Sequence, residues 1–196
     1  MHILVTGGAG YIGSVATRML LDAGFQVRVL DDLSTGHRDA VPTDAEFVQV
    51  SILDELDQHL KGIDAVMHFA GKSLVGESMQ KPDLYWSVNR DGSENLINAM
   101  KRNGINKLVF SSSAATYGEP TLIPIKEDAA TLPTNVYGET KLAVDQLLAA
   151  NSQWLSSVSL RYFNVAGALV TSDGVVGERV GELHIASPTC HPKIDQ

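Results

Sequence analysis

A tyrosine and a lysine stand four residues apart in Tyr137-Gly138-Glu139-Thr140-Lys141. On a helix that spacing puts both side chains on one face. A nearby ammonium favours the phenolate, so the pair suits removal of a proton from a substrate hydroxyl. A surface tyrosine and lysine on an ordinary helix would show the same spacing, so the pair needs company. Ser111-Ser112-Ser113 supplies it at the end of an apolar run. A hydroxyl there can donate to a substrate oxygen or relay a proton to Tyr137. The alternative is a merely polar strand end. The run is no nucleophile elbow, because no Gly-x-Ser-x-Gly pattern surrounds it.

A second group of residues points to a dinucleotide. Residues 2–13 read as an apolar strand entering a turn with Gly7, Gly10 and Gly13, then a helix. Such a turn lets a ligand approach the backbone, and the N–H groups at the helix start suit a pyrophosphate. Glycine is also the ordinary turn residue, so the pattern gains weight from its surroundings. An apolar stripe through Ile12, Val15, Ala16, Met19 and Leu20 predicts an amphipathic helix, with Gly24 just past its end. A second apolar strand, 27–30, then meets Asp31. The distance from the turn is close to the spacing of about 20 residues at which a carboxylate holds the ribose 2′-OH of NAD. Asp31-Asp32 would repel a 2′-phosphate, so NAD is expected over NADP. Arg28 and Arg38 are the basic residues that could oppose this preference.

The elements that position these groups alternate. Strands are expected at 47–50, 65–70, 107–112 and 158–163. Asp54 is a candidate cap for a short helix ending near Gly62. Pro82 is expected to start one long helix running towards Met100, and 137–150 another. Loops fall at 33–44 and around Pro120, Pro124 and Pro133. Alternation of this kind implies an α/β fold, a Rossmann-like doubly wound parallel sheet covered on both faces, with strand order 3-2-1-4-5-6. Each unusual segment then follows the end of a strand, which gathers them into one crevice.

The 196 residues suffice for one domain with a sizeable core. A net charge of −8 argues against a general nucleic-acid binder. The single cysteine, Cys190, excludes an intramolecular disulfide and fits a reducing cytoplasm. No apolar run approaches membrane-spanning length. Residues 1–167 are expected to form the NAD-binding domain and 168–196 an irregular tail. His184, Cys190 and His191 in that tail match no ordinary zinc spacing, so no metal is expected.

Read together, these segments resemble the extended short-chain dehydrogenases/reductases, most closely their nucleotide-sugar 4-epimerases. The matching stretches are 6–14, Asp31-Asp32-Leu33-Ser34, His68-Phe69-Ala70, Val75-Gly76-Glu77-Ser78, Ser111-Ser112-Ser113-Ala114, Tyr117-Gly118, 137–141 and Arg161-Tyr162-Phe163-Asn164. They occur in the family's order, and the likeness is expected to fade after Ala168.

The resemblance implies interconversion of UDP-glucose and UDP-galactose through a 4-keto sugar, with NAD retained. It implies Tyr137 as the base at the sugar 4-OH and Ser113 at the same oxygen. Lys141 would lower the tyrosine pKa and bind the nicotinamide ribose. Tyr11 and Ile12 would meet the pyrophosphate. Asp31, Asp32, Ser34, Thr35 and Gly36 would surround the adenosine ribose, and Ile52 the adenine. Phe69, Ala70, Gly71 and Ser73 would line the cofactor loop, with Asn89 near the serine. Phe163 would pack by the nicotinamide, and Asn164 would contact the substrate phosphate. A homodimer through the helices at 82–100 and 137–150 is implied as well.

Three departures stand out. Ser51 replaces the family's frequent Asp, Val88 replaces a second Asn, and residues 168–196 are expected to hold little of the substrate domain. A sugar-nucleotide 4,6-dehydratase would need an Asp-Glu pair where this chain has Ala114 and Ala115. An ordinary dehydrogenase would share the Tyr-Lys-Ser set. A non-catalytic NAD-binding fragment is the reading from a different class.

Overall fold

The computed structural model describes residues 1–167, 169–171 and 174–176. His184, Cys190 and His191 lie outside these residues. Six strands form one parallel sheet: β1 His2–Thr6, β2 Gln26–Asp31, β3 Glu46–Gln49, β4 Ala65–His68, β5 Lys107–Ser111 and β6 Ser156–Leu160. Their order is β3-β2-β1-β4-β5-β6, as the alternating pattern predicts. The register sets the strand ends level. Thr6 pairs with Leu30 and His68, Asp31 with Gln49, His68 with Phe110, and Ser111 with Leu160. The loops that carry the candidate residues therefore leave the sheet along one edge.

Successive residues of a strand face opposite sides of the sheet, and the core divides accordingly. Leu4, Leu30, Val66, Leu108 and Phe110 face two helices, α4 Gly92–Arg102 and α5 Val136–Ala150, through Leu96, Met100, Val144 and Leu148. Ile3, Val5, Val27 and Val29 form the other cluster, with Leu20 and Leu21 of helix α1 Tyr11–Asp22 against it. On this second face the described residues cover only the β1–β3 part. Over β4, β5 and β6 it is an open groove of about 290 Å³, lined by Met67, Val109 and Val158 among others. Val158 is 55% exposed. Both faces thus carry helical cover, as expected, but among the described residues it is complete on one face and partial on the other, where α1 is the helix packed.

Five local expectations change. Helix α1 buries its apolar stripe only in part: Leu20 packs on the core, while Ile12, Val15 and Ala16 stay half-buried. Gly13, Ser14 and Thr17 face inward, and Met19 is 59% exposed. The helix starts so close to the glycine turn that only small residues fit between them. The proposed cap at Asp54 instead accepts the Ser51 N–H at 3.0 Å, and the helix there is a single 3₁₀ turn, Asp57–His59.

The long helix from Pro82 is three joined pieces: α3 Pro82–Tyr85, a π-helical stretch Trp86–Asp91, and α4. A short helix before it, α2 Val75–Gln80, has no counterpart in the sequence reading. Strand β6 ends at Leu160, so Arg161, Tyr162 and Phe163 leave the sheet. Beyond it, β7 Leu169–Thr171 and β8 Gly174–Val176 pair antiparallel within the stretch expected to be irregular.

Candidate active site

The glycine turn is built by backbone crowding. Gly7 has φ +72°, and a Cβ there would lie 2.5 Å from the Ala70 nitrogen in the loop after β4. A Cβ on Gly13 would lie 2.1 Å from the Gly7 carbonyl oxygen. Both positions therefore require glycine. The first helical bond runs from the Ser14 N–H to the Gly10 carbonyl, and no side chain caps this end of α1. The Tyr11 and Ile12 N–H groups lie ahead of that bond, with the positive end of the helix dipole behind them. These residues fit a pyrophosphate.

Asp31 ends β2 beside this turn, as expected, and the structure gives it a structural task too. Its carboxylate accepts the Ala9 N–H at 3.0 Å and the Leu33 N–H at 2.8 Å. The same group that would meet a ribose diol thus fixes the turn and the following loop. Asp32 accepts from the Ser34 N–H at 2.8 Å, and Gly36 packs against Ala9. Neither basic residue opposes the acidic pair directly. Arg28 pairs with Glu46 at 2.8 Å, and Arg38 stacks on Phe47. Ile52 is buried against Gly92 of α4.

The loop after β4 is held from below. Asn89, in the π-helical stretch, accepts the Lys72 N–H at 2.7 Å and donates to the Lys72 carbonyl at 3.0 Å and to Thr140 Oγ1 at 3.0 Å. A π turn is a frequent companion of functional sites, because its extra residue re-aims one side chain. Asn89 is therefore a brace for the Phe69–Ser73 loop. The Lys72 ammonium reaches Ser34 at 3.5 Å, spanning the two loops.

Beneath the brace lies His68. Its Nδ1 meets Thr6 Oγ1 at 2.6 Å and its Nε2 meets Ser93 Oγ at 2.8 Å. Ser93 donates its own proton to the Asn89 carbonyl. The hydroxyl can then only accept from Nε2–H, which assigns the neutral tautomer. Burial, with the Lys141 charge adding to it, pushes His68 down to about 3.

Tyr137 opens α5. Asn135 caps the helix through the Gly138 N–H, and Ser78 of α2 accepts the Tyr137 N–H at 3.2 Å. This explains the Val75-Gly76-Glu77-Ser78 stretch: it seats the first turn of α5. Ser113 accepts the Ala115 N–H at 3.1 Å, which leaves its hydroxyl proton for an oxygen beside Tyr137.

Lys141 is 4% exposed and donates to the Ser111 carbonyl at 2.8 Å, with its Nζ 5.9 Å from the Tyr137 ring centroid. Its expected lowering of the tyrosine pKa does not dominate here. Burial raises Tyr137 above the usual phenol value, the Ser113 hydroxyl pulls it down, and Tyr162 pushes it up. Burial also pushes Lys141 down to about 8, against the Asp145 charge.

The structure thus brings together Tyr137, Lys141, Ser113, Gly71 and Asn89. Phe163 and Asn164 are exposed just past β6, Phe163 at 73%, next to Tyr162, whose carbonyl accepts the Ala114 N–H at 3.0 Å beside Ser113. Three residues carry parts of the site that spacing alone did not flag. Tyr162 shares a hydrogen bond with Ser111, Thr140 braces Asn89, and Asp145 accepts from Ser112. Tyr162 was legible only as one letter of the Arg161-Tyr162-Phe163-Asn164 stretch.

Residues 3–184 match the NAD dependent epimerase/dehydratase family. This chain belongs to that family. The match runs past Ala168, so the likeness continues beyond the point where it was expected to fade. The chain is 50% identical over 190 residues to a UDP-glucose 4-epimerase of Corynebacterium glutamicum, covering 94% of this chain and 56% of that protein. It is 51% identical over 172 residues to one of Streptomyces lividans, covering 84% and 52%.

A crystal structure of UDP-glucose 4-epimerase from Brucella ovis in complex with NAD superposes with a TM-score of 0.83. It is 41% identical and matches over 85% of this chain and 53% of that one. The chain spans about half the length of the curated relatives it matches. Among the described residues, no helix is long and apolar enough to cross a membrane.

Proposed function

We propose that this chain holds the cofactor and the proton-transfer groups for NAD-dependent epimerisation of a nucleotide sugar at C4, interconverting UDP-glucose and UDP-galactose. The observation that carries the reading is the placing of Tyr137, Ser113 and Lys141 beside the Gly71 loop, on the same sheet edge as the glycine turn.

Tyr11 and Ile12 hold the pyrophosphate through their N–H groups. Asp31, Asp32 and residues 34–36 surround the adenosine ribose, Ile52 lies near the adenine, and the Phe69–Ser73 loop covers the middle of the cofactor. The chemistry NAD supplies when bound is removal and return of the C4 hydride. Tyr137 takes the proton of the sugar 4-OH and later returns one to the 4-oxygen. Ser113, already accepting a backbone N–H, donates to that oxygen and keeps it within reach of the phenol. Lys141 stands behind both as a buried cation and meets the nicotinamide ribose. Phe163 packs by the nicotinamide, and Asn164 meets the substrate phosphate.

Ala114 and Ala115 carry no exchangeable proton, so these two positions cannot supply the acid–base pair that removal of water requires. Assembly as a homodimer through the outer sides of α3–α4 and α5, and a cytoplasmic location, belong to the same proposal.

The test uses UDP-galactose carrying deuterium at C4. The expected product is UDP-glucose with the label retained and no accumulation of NADH. Steady NADH production would make the chain an ordinary dehydrogenase. NAD binding without any sugar turnover would leave it a cofactor-binding chain and remove the enzyme reading.

A further inference from the structure

Helix α5 carries a third polar residue on its reactive side. Tyr137, Lys141 and Asp145 follow one another at intervals of four, and the lysine and the aspartate are both buried, at 4% and 9% exposure. A carboxylate and an ammonium in the interior of one helix are costly to desolvate unless each answers a specific partner.

Asp145 has such partners. Its Oδ2 accepts from Arg161 Nε at 2.8 Å and from the Ser112 hydroxyl at 3.1 Å. Its Oδ1 is buried and accepts no hydrogen bond. Ser112 stands between Ser111, whose carbonyl holds Lys141, and Ser113, which faces Tyr137. Arg161 passes its other nitrogen to Tyr117 Oη at 3.2 Å, at the end of the turn that Ser113 caps.

We infer that Asp145 is a positioning residue: the counter-charge for the buried Lys141 ammonium, and the anchor that ties the serine run after β5 to Arg161. Lys141 and Asp145 do not bond to each other. One goes to the Ser111 carbonyl and the other to Arg161 and Ser112. The pairing therefore acts through the field across one helical turn, in an interior that screens it weakly. Lys141 is the group that must stay charged to act behind Tyr137, and burial works against that charge.

Among the described residues, the other groups facing Lys141 give it no negative charge. They are the neutral His68 from β4, the phenol of Tyr137 on its own helix, the Phe110 ring of β5 and the Asn89 amide beside Gly71. Tyr162 reaches Ser111, not the lysine, and is itself raised by burial. Arg161 bonds the same carboxylate, and its own positive charge adds none of the negative charge that Lys141 needs.

The role rests on the proposed use of Lys141, yet it is tested without turnover. The full chain, labelled with ¹³C at lysine Cε, is titrated by NMR as wild type, Asp145→Asn, Asp145→Glu and Arg161→Gln. Lys141 is expected to titrate near 8 in the wild type. It should fall by about one pH unit in Asp145→Asn, recover in Asp145→Glu, and not fall in Arg161→Gln, where a positive charge rather than a negative one is removed.

A residue that only fills space would not lower the lysine in Asp145→Asn and restore it in Asp145→Glu. Unchanged titration of Lys141 in a folded Asp145→Asn chain overturns the inference. If that variant does not fold, Asp145→Ser decides in its place: an unchanged Lys141 midpoint in that folded chain overturns the inference. Failure of the chain to turn over a nucleotide sugar would leave these titrations as they are, so the two readings fail separately.

Discussion

Burial raises Tyr137 above the usual phenol value, more than the Ser113 hydroxyl lowers it. In the proposed reaction the phenol oxygen is the atom that exchanges a proton with the sugar 4-OH. Removing the hydroxyl tests this directly. Tyr137→Phe should lower kcat by about 10²–10⁴-fold, the usual contribution of a positioned acid–base group. The dissociation constant for NAD should change little, because no described hydrogen bond of the glycine turn or of the Asn89 brace uses the phenol oxygen. A parallel loss of NAD binding would mean that Tyr137 is a structural part of the cofactor site.

At the scale of elements, the decisive feature is the π-helical stretch that aims Asn89 at the loop after β4. Asn89→Leu would leave the Lys72 N–H and carbonyl without this partner, at about 1–3 kcal/mol for each group left unsatisfied. Thermal unfolding should show a clear loss of stability, and calorimetry a weaker NAD affinity. Wild-type affinity in that variant would show that the loop needs no brace.

The same helix marks the limit of what sequence reading could reach. Strand order and the address of the site were legible because β1, β2, β4 and β5 are apolar runs that end in polar or glycine-rich segments. The π turn was not, because nothing in the spacing of residues 82–102 separates it from a continuous α-helix. The buried side of α1 was misread for a related reason. Periodicity finds apolar residues, whereas close approach to the Gly7 turn selects small ones such as Gly13, Ser14 and Thr17. Asp145 escaped because a polar residue on a helix reads as solvated until the fold shows that its face is the inner one.

Across the whole molecule, the chain Thr6–His68–Ser93–Asn89 joins β1, β4 and α4 beneath the crevice and links site integrity to pH. The unfolded chain takes up a proton at this histidine near 6.5, and the folded chain only near 3. Between those values the unfolded state binds more protons, so stability falls as pH drops below 6.5. His68→Gln, which keeps a donor towards Ser93, should flatten this fall between pH 6.5 and 5 in denaturant titrations. An unchanged pH profile in that variant would place the dependence elsewhere.

The proposed dinucleotide site, with its acidic rim of Asp31 and Asp32, occupies the crevice at the strand ends. The most direct check is a calorimetric titration of the wild-type chain with NAD and with NADP at moderate salt. NAD should bind in a 1:1 complex. NADP should bind at least about tenfold more weakly, because its 2′-phosphate would meet Asp31 and Asp32. Equal affinity for the two, or no binding of NAD at all, would contradict the account.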